Sequence, residues 1–133
     1  MTLALYGHPL SSFCQKVLVA LYENDTAFEM RVVDFSNETS RAAFKALWPM
    51  SKIPVLHDSA TDQTIPETSI IIEYLDEKYP GATRFLPRDA EAARLVRLVD
   101  RFYDLYVNAP MGKIVTDRLR PSGSNDAYGV EEA

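Results

Sequence analysis

Long apolar runs, basic excess and cysteine are what this 133-residue chain has least of. No stretch approaches the roughly 20 apolar residues that a membrane-spanning helix needs, so no bilayer-crossing segment is expected. The beginning, Met1 to Pro9, has no charged residue before its short apolar run, and no secretory leader is expected either. Fourteen Lys and Arg against nineteen Asp and Glu leave a net charge of −5 and a pI near 5.0. That balance removes the clustered positive face that general nucleic-acid binding requires. A single cysteine, Cys14, can neither close an internal disulfide nor run dithiol chemistry within one chain, and it is compatible with a reducing cytoplasm. His8 and His57 have no partners at metal-ligand or triad spacing, so both read as loop residues and no metal is expected.

What is present suffices for a packed core: 47% of the residues are hydrophobic, in a length that fits one ordinary domain or a small domain plus part of another. Leu3, Leu5 and Tyr6 read as the end of a strand, Gly7 to Leu10 as a loop, and Phe13, Val17, Ala20 and Leu21 as one face of a helix. Ser11, Ser12 and Cys14 then stand at a helix entrance, where unpaired N–H groups and the positive end of the dipole stabilise an anion such as a thiolate. Phe28, Met30 and Val32 alternate in a second strand, and a strand–helix–strand unit favours parallel pairing through a right-handed crossover. A short helix is expected over Ser40 to Leu47, stopped by Pro49.

Lys52-Ile53-Pro54-Val55-Leu56 is an apolar strand with a proline at its start. A trans proline opening a strand is the common arrangement. A cis Ile53–Pro54 bond would instead turn the neighbouring N–H and C=O outward for a ligand's backbone. Asp58 to Gln63 reads as a polar loop and Thr64-Ile65 as a return strand, which together predict an antiparallel hairpin. A third helix follows Pro66, with Ile70, Ile71, Tyr74 and Leu75 on its apolar face and Thr68 or Ser69 as its cap. That entrance also suits a carboxylate ligand, and Glu67 would hold an ammonium group; plain capping is the competing account.

Pro80 to Arg88 reads as a linker, after which Asp89 caps a longer helix with Leu95, Val96, Val99, Phe102, Tyr103 and Tyr106 on one stripe. Pro110 is expected to kink or break it, with continuation to about Arg120 and a loop at 121–126. An apolar stripe with no following helices implies either a longer protein or a second chain as cover.

The order of elements, with Ile53-Pro54-Val55-Leu56 and the run from Glu67-Thr68 to Tyr74-Leu75, resembles the N-terminal thioredoxin-like domain of the cytosolic glutathione transferases, of a serine-type, bacterial-like kind. The resemblance implies an α/β domain of βαβαββα order at residues 1–80, a linker at 81–88, and at 89–133 the first part of a truncated all-α domain. It implies a cis Pro54, with the Ile53 backbone pairing with the cysteinyl part of glutathione, and Glu67 and Thr68 at the γ-glutamyl end. Family patterns usually have serine at the position of Thr68; threonine keeps the hydroxyl and the N–H. Lys52 is similar to a lysine or glutamine that contacts the peptide, and Arg41 is a candidate for the glycine carboxylate.

Ser11 falls where serine-type members keep the hydroxyl that faces the sulfur; Ser12 is the competing donor, and Tyr6 is a third candidate that reads better as packing. The implied activity is glutathione S-transfer: the thiol is activated as thiolate for attack on an electrophilic small molecule, in a detoxifying, cytoplasmic homodimer. Ser11 to Cys14 is also spaced like a Cys-x-x-Cys turn whose first cysteine is serine. Cys14 is therefore a redox candidate for thiol–disulfide exchange with glutathione, or else a small buried residue. A non-catalytic glutathione-binding or dimerisation module is the remaining alternative.

Overall fold

The computed structural model describes residues 2–133. In chain order they form β1 (Leu3–Gly7), α1 (Ser12–Glu23), β2 (Glu29–Val32), α2 (Glu38–Leu47), β3 (Val55–Asp58), β4 (Gln63–Pro66) and α3 (Thr68–Lys78). These are followed by α4 (Ala90–Phe102), a π-helical turn (Tyr103–Asn108), α5 (Ala109–Asp117) and α6 (Ala127–Glu131). Two compact units result, one ending at Leu86 and the other beginning at Pro87.

In the first unit the strands form one sheet in the order β2-β1-β3-β4, with β1 and β2 parallel and the other pairs antiparallel. This is the βαβαββα thioredoxin-like order. Because side chains alternate along a strand, β1 sends Leu3 and Leu5 to one face and Tyr6 to the other, and as a central strand it is apolar on both. Leu3, Leu5 and Leu56 meet Val17 and Leu21 of α1 and Ile71, Tyr74 and Leu75 of α3. On the opposite face Val55 and Val33 meet Phe44 of α2, which stacks on Tyr6 at 6.2 Å between ring centroids.

The buried face of α1 is Cys14, Val17, Ala20 and Leu21; Phe13 is only half-buried. Cys14 and Val17 to Leu21 keep the helical spacing, and Phe13 lies to one side of that stripe. In β2 the alternation ends early: Val32 is exposed and Val33 buried, since the chain leaves the sheet there. α2 begins two residues before the expected start because Asn37 caps it, its side chain accepting from Ser40 N at 3.0 Å.

β3 starts at Val55 and continues to Asp58, so His57 is a strand residue and Asp58 is not in the loop. Period two carries Asp58 to the face of Leu56. There it is fully enclosed, accepting from Tyr79 OH at 2.6 Å, Tyr74 OH at 2.8 Å and Ala60 N at 2.9 Å. Burial pushes its carboxyl up, but these donors outweigh burial and hold it below its ordinary range. Each hydrogen bond to a charged group contributes about 1.5–3 kcal/mol. Among the described residues no buried side-chain polar atom lacks a partner.

The segment after α3 is tied down rather than loose. Asp76 accepts from Phe85 N at 3.0 Å and Leu86 N at 2.6 Å, and Asn24 exchanges a pair of 2.8 Å bonds with the Thr83 backbone.

In the second unit Asp89 caps α4, accepting from Ala92 N at 2.9 Å. Pro110 does not end the helix; the π-helical turn precedes it, with Ala109 N bonded back to Asp104 O. A proline offers no N–H to the ladder, and a widened turn absorbs that loss without a break. Among the residues from 87 onward only Ala93 and Asp117 are buried. Asp117 accepts from Asp126 N at 2.7 Å and from the Asn125 side chain at 3.3 Å, folding the loop back to start α6. That five-residue helix has too little sequence for a periodicity to show.

Candidate functional site

Strand register assembles the site. Tyr6 pairs with Val55, and Val55 pairs with Pro66, so a single line crosses three strands at one edge of the sheet. Just beyond that line lie the turn from Gly7 to Ser11, the Ile53–Pro54 bond and the Glu67–Thr68 corner. The structure thus brings the Gly7–Ser11 turn beside two segments that lie more than 40 residues further along the chain.

Ser11 is the N-cap of α1, in extended conformation at φ −83° and ψ 119°, and its Oγ accepts from Cys14 N at 3.4 Å. Accepting uses a lone pair, so the hydroxyl proton remains available to donate. Ser12 is the first residue of α1 and is exposed. The turn before them is closed by Ser11 N donating to His8 O at 2.9 Å and by Gln15 Nε2 donating to Pro9 O at 2.6 Å. Leu10, 88% exposed, sits at its tip.

Cys14 faces the other way. Its side chain is 0% exposed, and its Sγ accepts from His8 N at 3.5 Å. It lies so close to β1 that a Cβ on Gly7 would stand 2.7 Å from the sulfur. Disulfide exchange requires a second sulfur to reach Sγ, and the folded chain encloses it. Of the two readings of Cys14, redox candidate and small buried residue, the enclosed sulfur supports the second.

The Ile53–Pro54 bond is cis, with Pro54 buried and Ile53 half-buried. Lys52 is exposed beside it, after Ser51 at φ 53°. Glu67, not Thr68 or Ser69, occupies the cap position of α3, at φ 71° and ψ 123°, and its side chain makes no capping hydrogen bond. A non-glycine residue at positive φ costs on the order of 1–3 kcal/mol and persists where its surroundings hold it. An entrance without a hydrogen bond to its cap side chain keeps the positive end of the dipole for an anion. Thr68 is buried and its hydroxyl donates to Phe13 O at 3.4 Å, which joins the starts of α3 and α1.

Arg41 lies on the exposed side of α2, 4.0 Å from Glu38. With Lys45, Phe35 and Ser51 it lines a depression of about 500 Å³. Ser51 is the neighbour of Lys52, so this hollow, which Glu38 also lines, adjoins the Pro54 segment. A second hollow, of about 420 Å³ and lined by Thr2, Thr26 and Tyr79 among others, is at the opposite end of β1 and plays no part here.

Tyr6 is not turned to the serine pair. Its OH accepts from Arg31 Nη1 at 2.8 Å and its ring stacks on Phe44. Arg31 also pairs with Glu29 at 3.1 Å; these contacts, Glu29 first and Tyr6 second, raise the guanidinium further above its ordinary value. The sequence reading gave Arg31 no role, although the i, i+2 spacing of Glu29 and Arg31 on a strand already puts them on one face. Nor did it recognise His8 as a structural member of the turn.

Comparison with known proteins gives the family. The family described as glutathione S-transferase, N-terminal domain, matches residues 5–83. Glutathione S-transferase U10 of Arabidopsis thaliana is 30% identical over 131 residues, covering 97% of this chain and 53% of the relative. Glutathione S-transferase theta-1 of Homo sapiens is 36% identical over 93 residues, 69% of this chain and 38% of the relative. A crystal structure of a glutathione S-transferase from Methylobacillus flagellatus with glutathione bound superposes with a TM-score of 0.84 at 26% identity, over 98% of this chain and 62% of that one. The chain spans about half, or less, of the length of these curated relatives.

Proposed function

The chain belongs to the glutathione S-transferase family, and from that premise we propose that it binds glutathione at the three-segment edge and activates its thiol for conjugation to an electrophilic small molecule. The observation that carries the reading is the register line Tyr6–Val55–Pro66, which gathers Ser11, Ile53–Pro54 and Glu67–Thr68. In this reading the Ile53 backbone pairs with the cysteinyl unit. Glu67 and the N–H of Thr68 take the γ-glutamyl end. Lys52 contacts the peptide and Arg41 serves the glycine carboxylate, beside the hollow that Arg41 lines. Thr68 acts through its backbone, since its hydroxyl is spent on Phe13.

Ser11 donates to the sulfur, with Ser12 as the alternative donor. A free thiol has a pKa near 8.5, and lowering it by about two units takes ~2.7 kcal/mol of preferential thiolate stabilisation. A hydrogen bond to the charged sulfur supplies about 1.5–3 kcal/mol and the α1 entrance about 0.3–1 kcal/mol, which together reach that figure. The serine remains protonated throughout. The helices from Pro87 onward are read as the beginning of the helical domain that carries the electrophile site in this family, and the working form as a cytoplasmic homodimer with a detoxifying role.

Conjugation kinetics with glutathione test the assignment. Ser11→Ala is expected to lower turnover roughly ten- to hundredfold, the equivalent of one charge-assisted hydrogen bond. Unchanged rates in both Ser11→Ala and Ser12→Ala would sink it. A non-catalytic binding or dimerisation module is the second reading, favoured by the uncovered stripe on α4. Equilibrium sedimentation together with calorimetry on S-methylglutathione separates it, since a monomer with no binding heat defeats it.

A further inference from the structure

We propose that His8 is the positioning residue of the Ser11 turn, holding the serine hydroxyl where it serves the sulfur of a bound thiol; this rests on the reading of Ser11 given above. Three bonds converge on His8. Its carbonyl accepts from Ser11 N at 2.9 Å, its N–H donates to Cys14 Sγ at 3.5 Å, and its ring Nδ1 accepts from Leu10 N at 3.2 Å.

The turn has few other means of support. Pro9 has no N–H, so the donors between His8 and α1 are those of Leu10 and Ser11, and His8 satisfies both. His8 to Ser11 is a four-residue turn with proline in its second place, where φ is preset. In the first place of such turns Asn or Asp commonly accepts from the N–H two residues on, and the imidazole does that here. Accepting at Nδ1 assigns the ring proton to Nε2. The Cys14 bond matters as much. It anchors the start of the turn to α1, and Ser11 caps the same helix through Cys14 N, so His8 and Ser11 are fixed to one residue from opposite sides.

The test uses the full chain and two probes: glutathione, whose bound thiol is titrated by thiolate absorbance, and S-methylglutathione, which has no thiol and is followed by calorimetry. His8→Phe keeps ring bulk without an acceptor, and His8→Asn restores an acceptor for the Leu10 N–H. His8→Phe should raise the apparent pKa of the bound thiol by about half a unit or more, back toward the free value. S-methylglutathione affinity should stay within about twofold, and His8→Asn should restore the thiol pKa. An unmoved thiol pKa in His8→Phe, or equal weakening of both ligands, overturns the proposal, the second because it marks plain structural damage. Amide exchange at Leu10 in the unsubstituted chain reads the same bond without any variant; exchange as fast as that of an open loop overturns it too. Ser11→Ala separates the two levels. If it leaves the thiol pKa unchanged the Ser11 reading fails, whereas a shift there with silence in His8→Phe rejects His8 alone.

Discussion

The unit ending at Leu86 and the unit beginning at Pro87 spend similar kinds of residue in opposite ways. The first encloses Leu3, Leu5, Val17, Leu56 and Ile71 between sheet and helices. The second leaves Leu95, Leu98, Phe102 and Tyr106 open, the last at 71% exposure. Each helix has an apolar stripe, so amphipathic patterning specifies helix formation in both, and only a facing element converts it into a core. Stability of the chain should therefore be concentrated in the first unit.

The sharpest way to break that contrast is to exchange cost between the units. Ile71→Ala should lose about 2–5 kcal/mol in urea unfolding, as truncations in enclosed sites do. Leu98→Ala should stay within about 0.5 kcal/mol, as exposed positions do. Equal losses at both would mean that the second unit is covered in solution.

Next in size is the buried carboxylate. Asp58→Asn should cost about 1–3 kcal/mol at neutral pH, because Tyr74 and Tyr79 lose a charged acceptor. Since its folded pKa lies below the ordinary 3.8, its contribution is fully present above 3.8 and disappears as pH falls through the lower folded value. Urea midpoints of parent and variant should thus differ at neutral pH and converge as the pH falls below 3.8 and through the folded value.

A smaller effect is expected at Asp89→Ala: about 1 kcal/mol, confined to the first turn of α4 and read by amide exchange there. Smallest of all in stability is Leu98→Glu, within about 0.5 kcal/mol, yet it should reduce binding of an apolar fluorescent dye to the open apolar surface of α4. Unchanged dye fluorescence would place the accessible patch elsewhere.

How much of this could be read beforehand depended on the range of the interaction. The βαβαββα order, the helix entrance at Ser11 to Cys14, the Asp89 cap and the hairpin were legible, because each rests on periodicity or on residues adjacent in sequence. Glu67 as the cap position of α3 was not, since its positive φ is imposed by a corner between β4 and α3 against the preference of its own side chain. Asp58 read as a loop residue because its acceptor role depends on Tyr74 and Tyr79, 16 and 21 residues away. Cys14 was legible as a small buried residue, but spacing left a redox role open beside it. Spacing alone placed it beside the serines, and only the crossing of α1 over β1 turned it inward.

That crossing has an evolutionary consequence. Gly7 and Cys14 share one small volume, in which a methyl group at position 7 and the sulfur at 14 exclude one another. A lineage carrying alanine at 7 would have to lose the sulfur first, or pass through a poorly packed ancestor. The two positions should therefore covary as one character, the sulfur standing where the backbone of β1 comes closest to α1.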